Sequence, residues 1–534
     1  MKLPLWFVVA LVLAAYSGAP NAGFVWDDHA IFERNGVLDN PTFDGVFLQD
    51  LWCCTPGNRT GYHRPLLTLT FLFDRSIAGI TPAWPHVHSV LWHALTVALV
   101  SLVLRPRVGV PAANVAALIF GLHPIQSEAV LWISARNDLM VAAGVLATIA
   151  AADARRPGWT ALFAAFACLS KESGYLLPVY LGAWRLAWGE APRRSDLAIL
   201  PAMGAALALR SNADLASIAF GHADGTFNLE TARNTLATAL SWVTLPWPLT
   251  TTASVYMATP GPLVWGAAVA TVVLLVTVVA ARPRSAALLL FSLIALAPSS
   301  MGVRWYGTLG ERYLYLPLFG LVAALVSAAA PATPRPGSSP LLHLREGGPV
   351  ALIIGTVAAL VCLHVRAPDW ATEETLFTAA VRRAPDSYAW NLLAVELGRQ
   401  DRDAEAIRAF DQATVARPFN KRTCTHLIGV ADRVLTDDDL RTFTATWAER
   451  GCGGHEGYDG RRALALAGRG LWSEAEAVAE AAVHNDDRRR DEIVRAAVDA
   501  RDGDLDSLGA RSLVWPGGAS ALLDQVTLLT NARH

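Results

Sequence analysis

Eleven apolar runs succeed one another in the first 366 residues, near 4–20, 86–104, 110–124, 128–152, 158–170, 174–190, 195–210, 262–281, 285–300, 312–330 and 349–366. Several approach the roughly 20 residues a helix needs to cross a bilayer. Hydrophobic residues make up 53% of the 534-residue chain and charged residues 17%, against about 25% charged in a soluble domain. The pattern predicts an all-α, polytopic membrane protein of about eleven transmembrane helices. The first run is read as a span and not as a cleaved signal peptide, although YSGAP offers a weak cleavage site. A formal net charge of −2 carries no nucleic-acid signature. The six cysteines have no metal-type spacing. Cys53 and Cys54 are adjacent, and a Cys424–Cys452 disulfide is open to the polar tail if the tail is exported.

Arginine placement sets the orientation. With eleven spans and a cytoplasmic N-terminus, the connections holding Arg105/Arg107, Arg155/Arg156, Arg193/Arg194, Arg282/Arg284 and Arg335/Arg345 all face the cytoplasm. The opposite face then carries the polar segment 21–82, the body of a first exoplasmic loop spanning 21–85. It also carries 123–128, 170–174, 211–261, 299–311 and the tail.

Two domains follow, a transmembrane domain over 1–366 and a helical tail over 367–534. In the tail, TLFTAAVRRAPDS carries Phe377, Ala380 and Pro385, and AIRAFDQATVARPFN carries Phe410, Ala413 and Pro418. The triplets recur at 33 residues, near the 34-residue tetratricopeptide period. ALALAGRGLWSEAEAVAEAAV looks like a weaker third copy. The plainer alternative is an ordinary amphipathic helical tail.

Polar residues gather at the exoplasmic ends of separate spans: Asp27 and Asp28 in FVWDDH, Arg64 in YHRP, His123 and Glu128 in HPIQSE, Arg136 and Asp138 in RND, Lys171 and Glu172 in SKESG, Glu311 and Arg312 in GERY. Lys171 is one of only three lysines, with Lys2 and Lys421. Ionisable groups at a membrane edge are costly unless paired or hydrated, so each is a functional hypothesis by default. Arg136, Lys171 and Arg312 have the chemistry to bind a phosphate at headgroup depth. Asp27 and Asp28 could accept a proton from an acceptor hydroxyl or hold a metal. Together they suit transfer of a sugar from a polyprenyl phosphate, with the cations stabilising the departing phosphate.

Each signal also has a structural reading. The two aspartates could cap the following segment, His123-Pro124 could be a helix-ending turn, and Glu128 could sit at a helix N-terminus. Arg136 and Asp138 could fix helix packing, and Lys171-Glu172 could be a neighbouring ion pair. His86, His88 and His93 have ligand-like spacing without a carboxylate placed beside them, and read as hydrogen-bonding groups. Asn58-Arg59-Thr60 fits the glycosylation pattern.

FVWDDHAIFERN, YHRPLLTLTFLFD, HPIQSEAVLWISARNDLM, LSKESG and GERYLYLP, in that order, resemble the polytopic O-mannosyltransferases that carry C-terminal tetratricopeptide repeats, over roughly residues 1–330. The resemblance implies a GT-C glycosyltransferase fold and a lipid-phosphate-linked sugar donor, dolichyl phosphate mannose in eukaryotes. It implies a catalytic base at Asp27 or Asp28, with Asp28 slightly preferred, and a lipid-phosphate site at Arg136, Lys171 and Arg312. Arg64, His123, Glu128, Asp138, Glu172 and Glu311 would support the site. It implies no cofactor and no divalent metal. His63 between Tyr62 and Arg64 is a local departure from the family's Tyr-Arg-Pro pattern. The arginine- and alanine-rich composition suggests a GC-rich bacterium, hence an inner-membrane protein, undecaprenyl phosphate as the lipid and a periplasmic site.

The expected activity is an inverting transfer of a hexose, mannose first, to a hydroxyl of an exoplasmic protein Ser or Thr. A lipid or cell-surface glycan acceptor is the alternative within the same class. A non-catalytic membrane scaffold, recruiting partners through the repeats, is the alternative outside it.

Overall fold

The computed structural model of the chain describes residues 3–54, 61–215, 229–246, 249, 253–254, 261–299, 308–329, 348–416, 422–453 and 458–481. Asn58–Thr60, Arg335 and Arg345 lie outside these. The chain divides into two compact units, Met1–Ala379 and Ala380–His534.

The first unit is helical. Its longer helices are α1 (Leu5–Ala15), α2 (Pro65–Ala78), α3 (Ala83–Val108), α4 (Val110–Leu122), α5 (Arg136–Asp153), α6 (Pro157–Ser170), α7 (Leu177–Trp188), α8 (Ile199–Ser211), α9 (Leu229–Thr244), α10 (Pro262–Ala281), α11 (Ser285–Leu296), α12 (Tyr315–Ala329) and α13 (Gly348–Arg366). β structure among the described residues is confined to a two-residue antiparallel pair, Ala253–Ser254 with Thr308–Leu309, and a bridge between Gln49 and Asp214. Local chemistry sets the ends. Pro65, Pro157 and Pro262 open their helices, where a missing N–H costs nothing. Gly189, at φ 66°, stops α7 in a left-handed conformation that a side chain would strain.

Among the described residues, five helices are long and apolar enough to cross a membrane: Ala83–Val108, Ile133–Asp153, Pro262–Ala281, Glu311–Ala329 and Val350–Ala371. Shorter apolar helices lie at Leu5–Asn21, Val110–Leu122, Pro157–Ser170 and Ser285–Leu296. α5 is buried almost throughout its length. By contrast α10 exposes Leu263, Val269, Val273 and Val276, and α13 exposes Val350, Ile354, Val357 and Val361. Such apolar faces suit contact with lipid.

The run 128–152 is not one helix. Ser127–Leu131 ends at Trp132, Ile133–Ala135 forms a 3₁₀ turn, and only then does α5 begin. The segment 21–85 is likewise not a plain loop. Ile31, Phe32, Leu38 and Leu51 bury against Leu67 and Phe71 of α2 and against Ile133 and Met140. The opposite face of α2 exposes Leu69, Phe73 and Ile77, four residues apart and so one stripe of a helix.

Charges collect at two ends of this unit. At one, Arg107, Arg185 and Arg193 all bond Glu190, and Arg107 and Arg185 also bond Asp153, with Arg185 held by Asp196 at 2.8 Å. The Arg284 guanidinium lies against Gly189. Four of the five basic connections thus converge. The candidate site residues gather apart from them.

In the second unit, helix pairs repeat. α14 (Glu373–Arg383) crosses the boundary, and α15 (Ser387–Arg399) with α16 (Asp403–Val415), α17 (Arg422–Val434) with α18 (Asp437–Trp447), and α19 (Tyr458–Gly468) with α20 (Trp472–Ala481) follow. Successive pairs start at 387, 422 and 458. Phe410, Ala406 and Ala413 are buried on α16, as small residues must be where two helices approach closely. Cys424 and Cys452 form a disulfide, with Cα atoms 5.4 Å apart.

Candidate active site

FVWDDH takes its shape from Trp26. This residue has φ 56°, a left-handed conformation that costs a bulky residue on the order of 1–3 kcal/mol. Contacts of its backbone and its ring hold it there. Its N–H donates to Glu373 Oε1 at 2.7 Å, and its ring stacks on Trp132 with centroids 5.1 Å apart. The kink sends Asp27 and Asp28 to different surroundings.

Asp28 is fully buried. Its Oδ1 accepts from the Ser134 N–H at 2.8 Å and from the Ser134 hydroxyl, and its Oδ2 accepts from the Val25 N–H at 3.2 Å. Burial pushes its carboxyl up to about 7, against the pull of the Ser134 and Val25 bonds. These bonds fasten the first loop to the turn before α5. Asp27 is half-buried, and among the described residues its carboxylate takes part in no hydrogen bond. Burial raises it to about 6, while Arg312 and Arg64 pull it back. The oxygens of Asp28 are thus committed to Ser134 and Val25, whereas Asp27 is the carboxylate on which Arg312 and Arg64 act.

Two cations, Arg312 and Arg64, act on that position, and Lys171 lies near both of them. Arg64, at the start of α2, donates from Nε and Nη2 to Glu172 Oε2 at 3.1 and 2.9 Å and lies over Tyr62, 4.3 Å from the ring centre. Lys171 donates to Asp138 Oδ1 at 2.5 Å and sits 5.9 Å from the Tyr313 ring. Arg312 bonds the fully buried Glu128 through its side chain and, at 3.1 Å, through its backbone N–H. Its guanidinium lies between the Trp132 and Tyr313 rings, 4.7 and 4.6 Å from their centres. Burial depresses the Lys171 ammonium although Asp138 opposes it. Burial would raise Glu172, but Arg64 outweighs it and holds the carboxyl below its usual range. Arg64 Nη1, Arg312 Nε and two of the Lys171 ammonium hydrogens make no bond among the described residues.

Gly174 lets this cluster form, since a Cβ there would overlap the Ala167 carbonyl of α6. The chain can therefore turn sharply after Lys171-Glu172.

Other expected members lie elsewhere. Arg136 is fully buried. Its Nη1 donates to Asp74 at 2.5 Å and Thr70 at 3.1 Å, its Nε to Ser89 at 3.1 Å and its Nη2 to the Pro85 carbonyl at 2.7 Å. All three nitrogens bond residues of α2 and α3 from the start of α5, so Arg136 stands as the junction of these helices. Asp74 also bonds His88 at 2.6 Å, so a carboxylate does stand beside the histidines of α3. Glu311 is fully buried and pairs with Arg366 at 2.9 Å, and Arg366 also bonds Ser127 and the Leu249 carbonyl. Glu311 thus clamps the end of α13. His123 accepts from the Ile125 N–H at 3.3 Å on Nδ1 and donates from Nε2 to the Val243 carbonyl at 3.2 Å. Burial lowers it to about 4, so it is a neutral turn residue. Trp26, Trp132, Ser134, Asp74, Arg366 and Glu373 were not singled out from sequence. Among the described residues no three His, Cys, Asp or Glu side chains gather as a metal would require.

No family model matches the chain. The protein O-mannosyl-transferase Tmtc1 of Drosophila melanogaster is 36% identical over 138 residues, 24% of this chain and 16% of that protein. The protein O-mannosyl-transferase TMTC3 of Mus musculus is 30% identical over 137 residues, 25% of this chain and 15% of its own length. TMTC2 of Mus musculus is 33% identical over 134 residues, 24% of this chain and 16% of its own length. The matched stretch spans about a sixth of these relatives and is shorter than the 1–330 over which the motifs are spread. Over about a quarter of its length, then, this chain is distantly similar to the protein O-mannosyl-transferases.

Proposed function

We propose that the chain is a membrane glycosyltransferase of the GT-C class. It moves a hexose, mannose first, from a polyprenyl-phosphate donor to a hydroxyl of an exoplasmic acceptor, a protein Ser or Thr before a glycan. The observation that carries this reading is Asp27, a carboxylate without a hydrogen bond among the described residues, lifted to about 6 by burial while Arg312 and Arg64 pull it back. A base must be ionised and free to take a proton, and a departing phosphate needs fixed positive charge.

In this mechanism Asp27 removes the acceptor's hydroxyl proton. The acceptor oxygen attacks the anomeric carbon, the bond from that carbon to the phosphate oxygen breaks, and polyprenyl phosphate leaves with the electron pair. Arg64, Lys171 and Arg312 take up the growing charge through their uncommitted N–H groups. Glu128, Asp138 and Glu172 hold those cations in place. Direct displacement inverts the anomeric centre. A divalent metal has no part in this reading.

The eleven-span topology belongs to the same proposal, with a cytoplasmic N-terminus in a bacterial inner membrane and a periplasmic site. The convergence of four basic connections at one end of the first unit supports it. The Cys424–Cys452 disulfide supports an exported second unit, whose helix pairs we read as a tetratricopeptide-like α-solenoid that captures a protein partner. Deleting the gene and measuring intact masses of periplasmic proteins tests the reading. Loss of a hexose, restored by the wild-type gene, is expected. Unchanged proteins with an altered surface glycan would replace the protein acceptor by a glycan one. No change in either would leave only a scaffold.

A further inference from the structure

Two carboxylates of the site each give one oxygen to a cation and keep the other buried without a partner. Asp138 Oδ1 accepts from Lys171, while Asp138 Oδ2 is buried and accepts nothing among the described residues. Glu172 Oε2 accepts twice from Arg64, while Glu172 Oε1 is buried and accepts nothing among the described residues. Asp138 as a residue is only 8% exposed. A buried charged acceptor without a donor is a costly fault in a folded protein. Here two occur on neighbouring elements, Asp138 in the first turn of α5 and Glu172 in the turn after α6, both acting on Arg64.

The same site offers the opposite chemistry beside them. Arg64 Nη1, Arg312 Nε and two of the Lys171 ammonium hydrogens are donors without acceptors among the described residues. A ligand that answers both halves carries an anionic group and, close to it, at least two hydroxyl donors. A bare lipid phosphate has the anion and lacks the hydroxyls. A serine or threonine acceptor brings one hydroxyl and no anion. A cation is repelled by the three basic side chains. A hexose esterified to phosphate carries both groups a few bonds apart.

Resting on the glycosyl-phosphate reading above, we propose that Asp138 Oδ2 and Glu172 Oε1 form the hydroxyl-reading subsite of the donor. They accept hydrogen bonds from two ring hydroxyls of the sugar and so decide which sugar the site takes. Their partner oxygens hold Lys171 and Arg64 on the phosphate, so each carboxylate ties sugar choice to phosphate binding.

The test uses the purified full chain in lipid nanodiscs, with Asp138→Asn and Glu172→Gln. Each substitution can keep the acceptor for its cation and puts an amide donor where the orphan oxygen stands. The probes are polyprenyl phosphate without a sugar and polyprenyl phosphates carrying mannose, glucose, galactose or N-acetylglucosamine. The wild type is expected to bind one glycosylated lipid tighter than the bare lipid phosphate. Each variant is expected to lose about tenfold more for that lipid than for the bare lipid phosphate. Equal losses for both probes would make the carboxylates mere supports for the cations and overturn the inference. No loss for either would mean the oxygens meet only water, and would overturn it too. Wild type binding bare and glycosylated lipids alike sinks this inference alone, whereas wild type binding none of them sinks the proposed function with it. Glu172, whose side chain is 32% exposed, supplies the decisive variant if Asp138→Asn does not fold.

Discussion

Arg136 and Arg312 look equivalent in the sequence, and Arg136→Met separates them. The substitution strips Asp74 of a 2.5 Å ion pair in which both side chains are fully buried. Among the described residues Asp74 keeps only His88, at 2.6 Å, and the Pro85 carbonyl loses a donor. Removing one partner of a buried pair typically costs about 3–5 kcal/mol, because the surviving charge stays buried. Replacing both partners by apolar groups is often near neutral, so Asp74→Leu with Arg136→Met should recover about 2 kcal/mol or more of that loss. Equilibrium unfolding of the detergent-solubilised protein measures the cycle, and binding of bare polyprenyl phosphate to the folded fraction is measured beside it. The expected result is lost stability with lipid-phosphate binding intact. Stability unchanged within about 0.5 kcal/mol, with lipid-phosphate binding abolished, would refute the reasoning and return Arg136 to the donor site.

Transfer should rise with pH through about 6, where Asp27 ionises, and level off above it. Arg64→Met removes one of the charges that pull Asp27 down, so the limb of the pH–rate profile should move to higher pH; a downward move would contradict the assignment. Glu373→Ala removes the acceptor of the Trp26 N–H and should cut kcat about tenfold, worth about 1–2 kcal/mol, with little change in donor KM. Equal loss in both parameters would mean that Glu373 does more than position the loop. The Cys424–Cys452 bond closes a 28-residue separation, for which chain-entropy reasoning gives about 3.5 kcal/mol. Unfolding midpoints of the full chain with and without reductant check this, and an unmoved midpoint would argue against it.

Helix positions were legible because apolar run length is a direct physical demand of the bilayer. α10 occupies the run 262–281, and α13 begins one residue before its run. The break at Trp132–Ala135 was not, since Leu131, Trp132 and Ile133 are as apolar as the helix that follows. Pairing was the least legible. Arg136 is consumed by Asp74, which lies 62 positions away, and Glu311 by Arg366, 55 positions away. Neither distance leaves a mark in local sequence. The pairing of Arg64 with Glu172, Lys171 with Asp138 and Arg312 with Glu128 joins residues assigned to the same face of the membrane, which is what made them legible as a group. Asp27 and Asp28 are adjacent and chemically identical, and only the left-handed Trp26 between Glu373 and Trp132 tells them apart.

The central claim is that Asp27 is the base of a cation-lined lipid-phosphate site. The most direct measurement compares Asp27→Asn with wild type in one preparation, reading donor-lipid binding and hexose transfer together. The account predicts donor binding within a few-fold of wild type and transfer reduced by about 10²–10⁴. Transfer retained by Asp27→Asn, with donor binding unchanged, would contradict it.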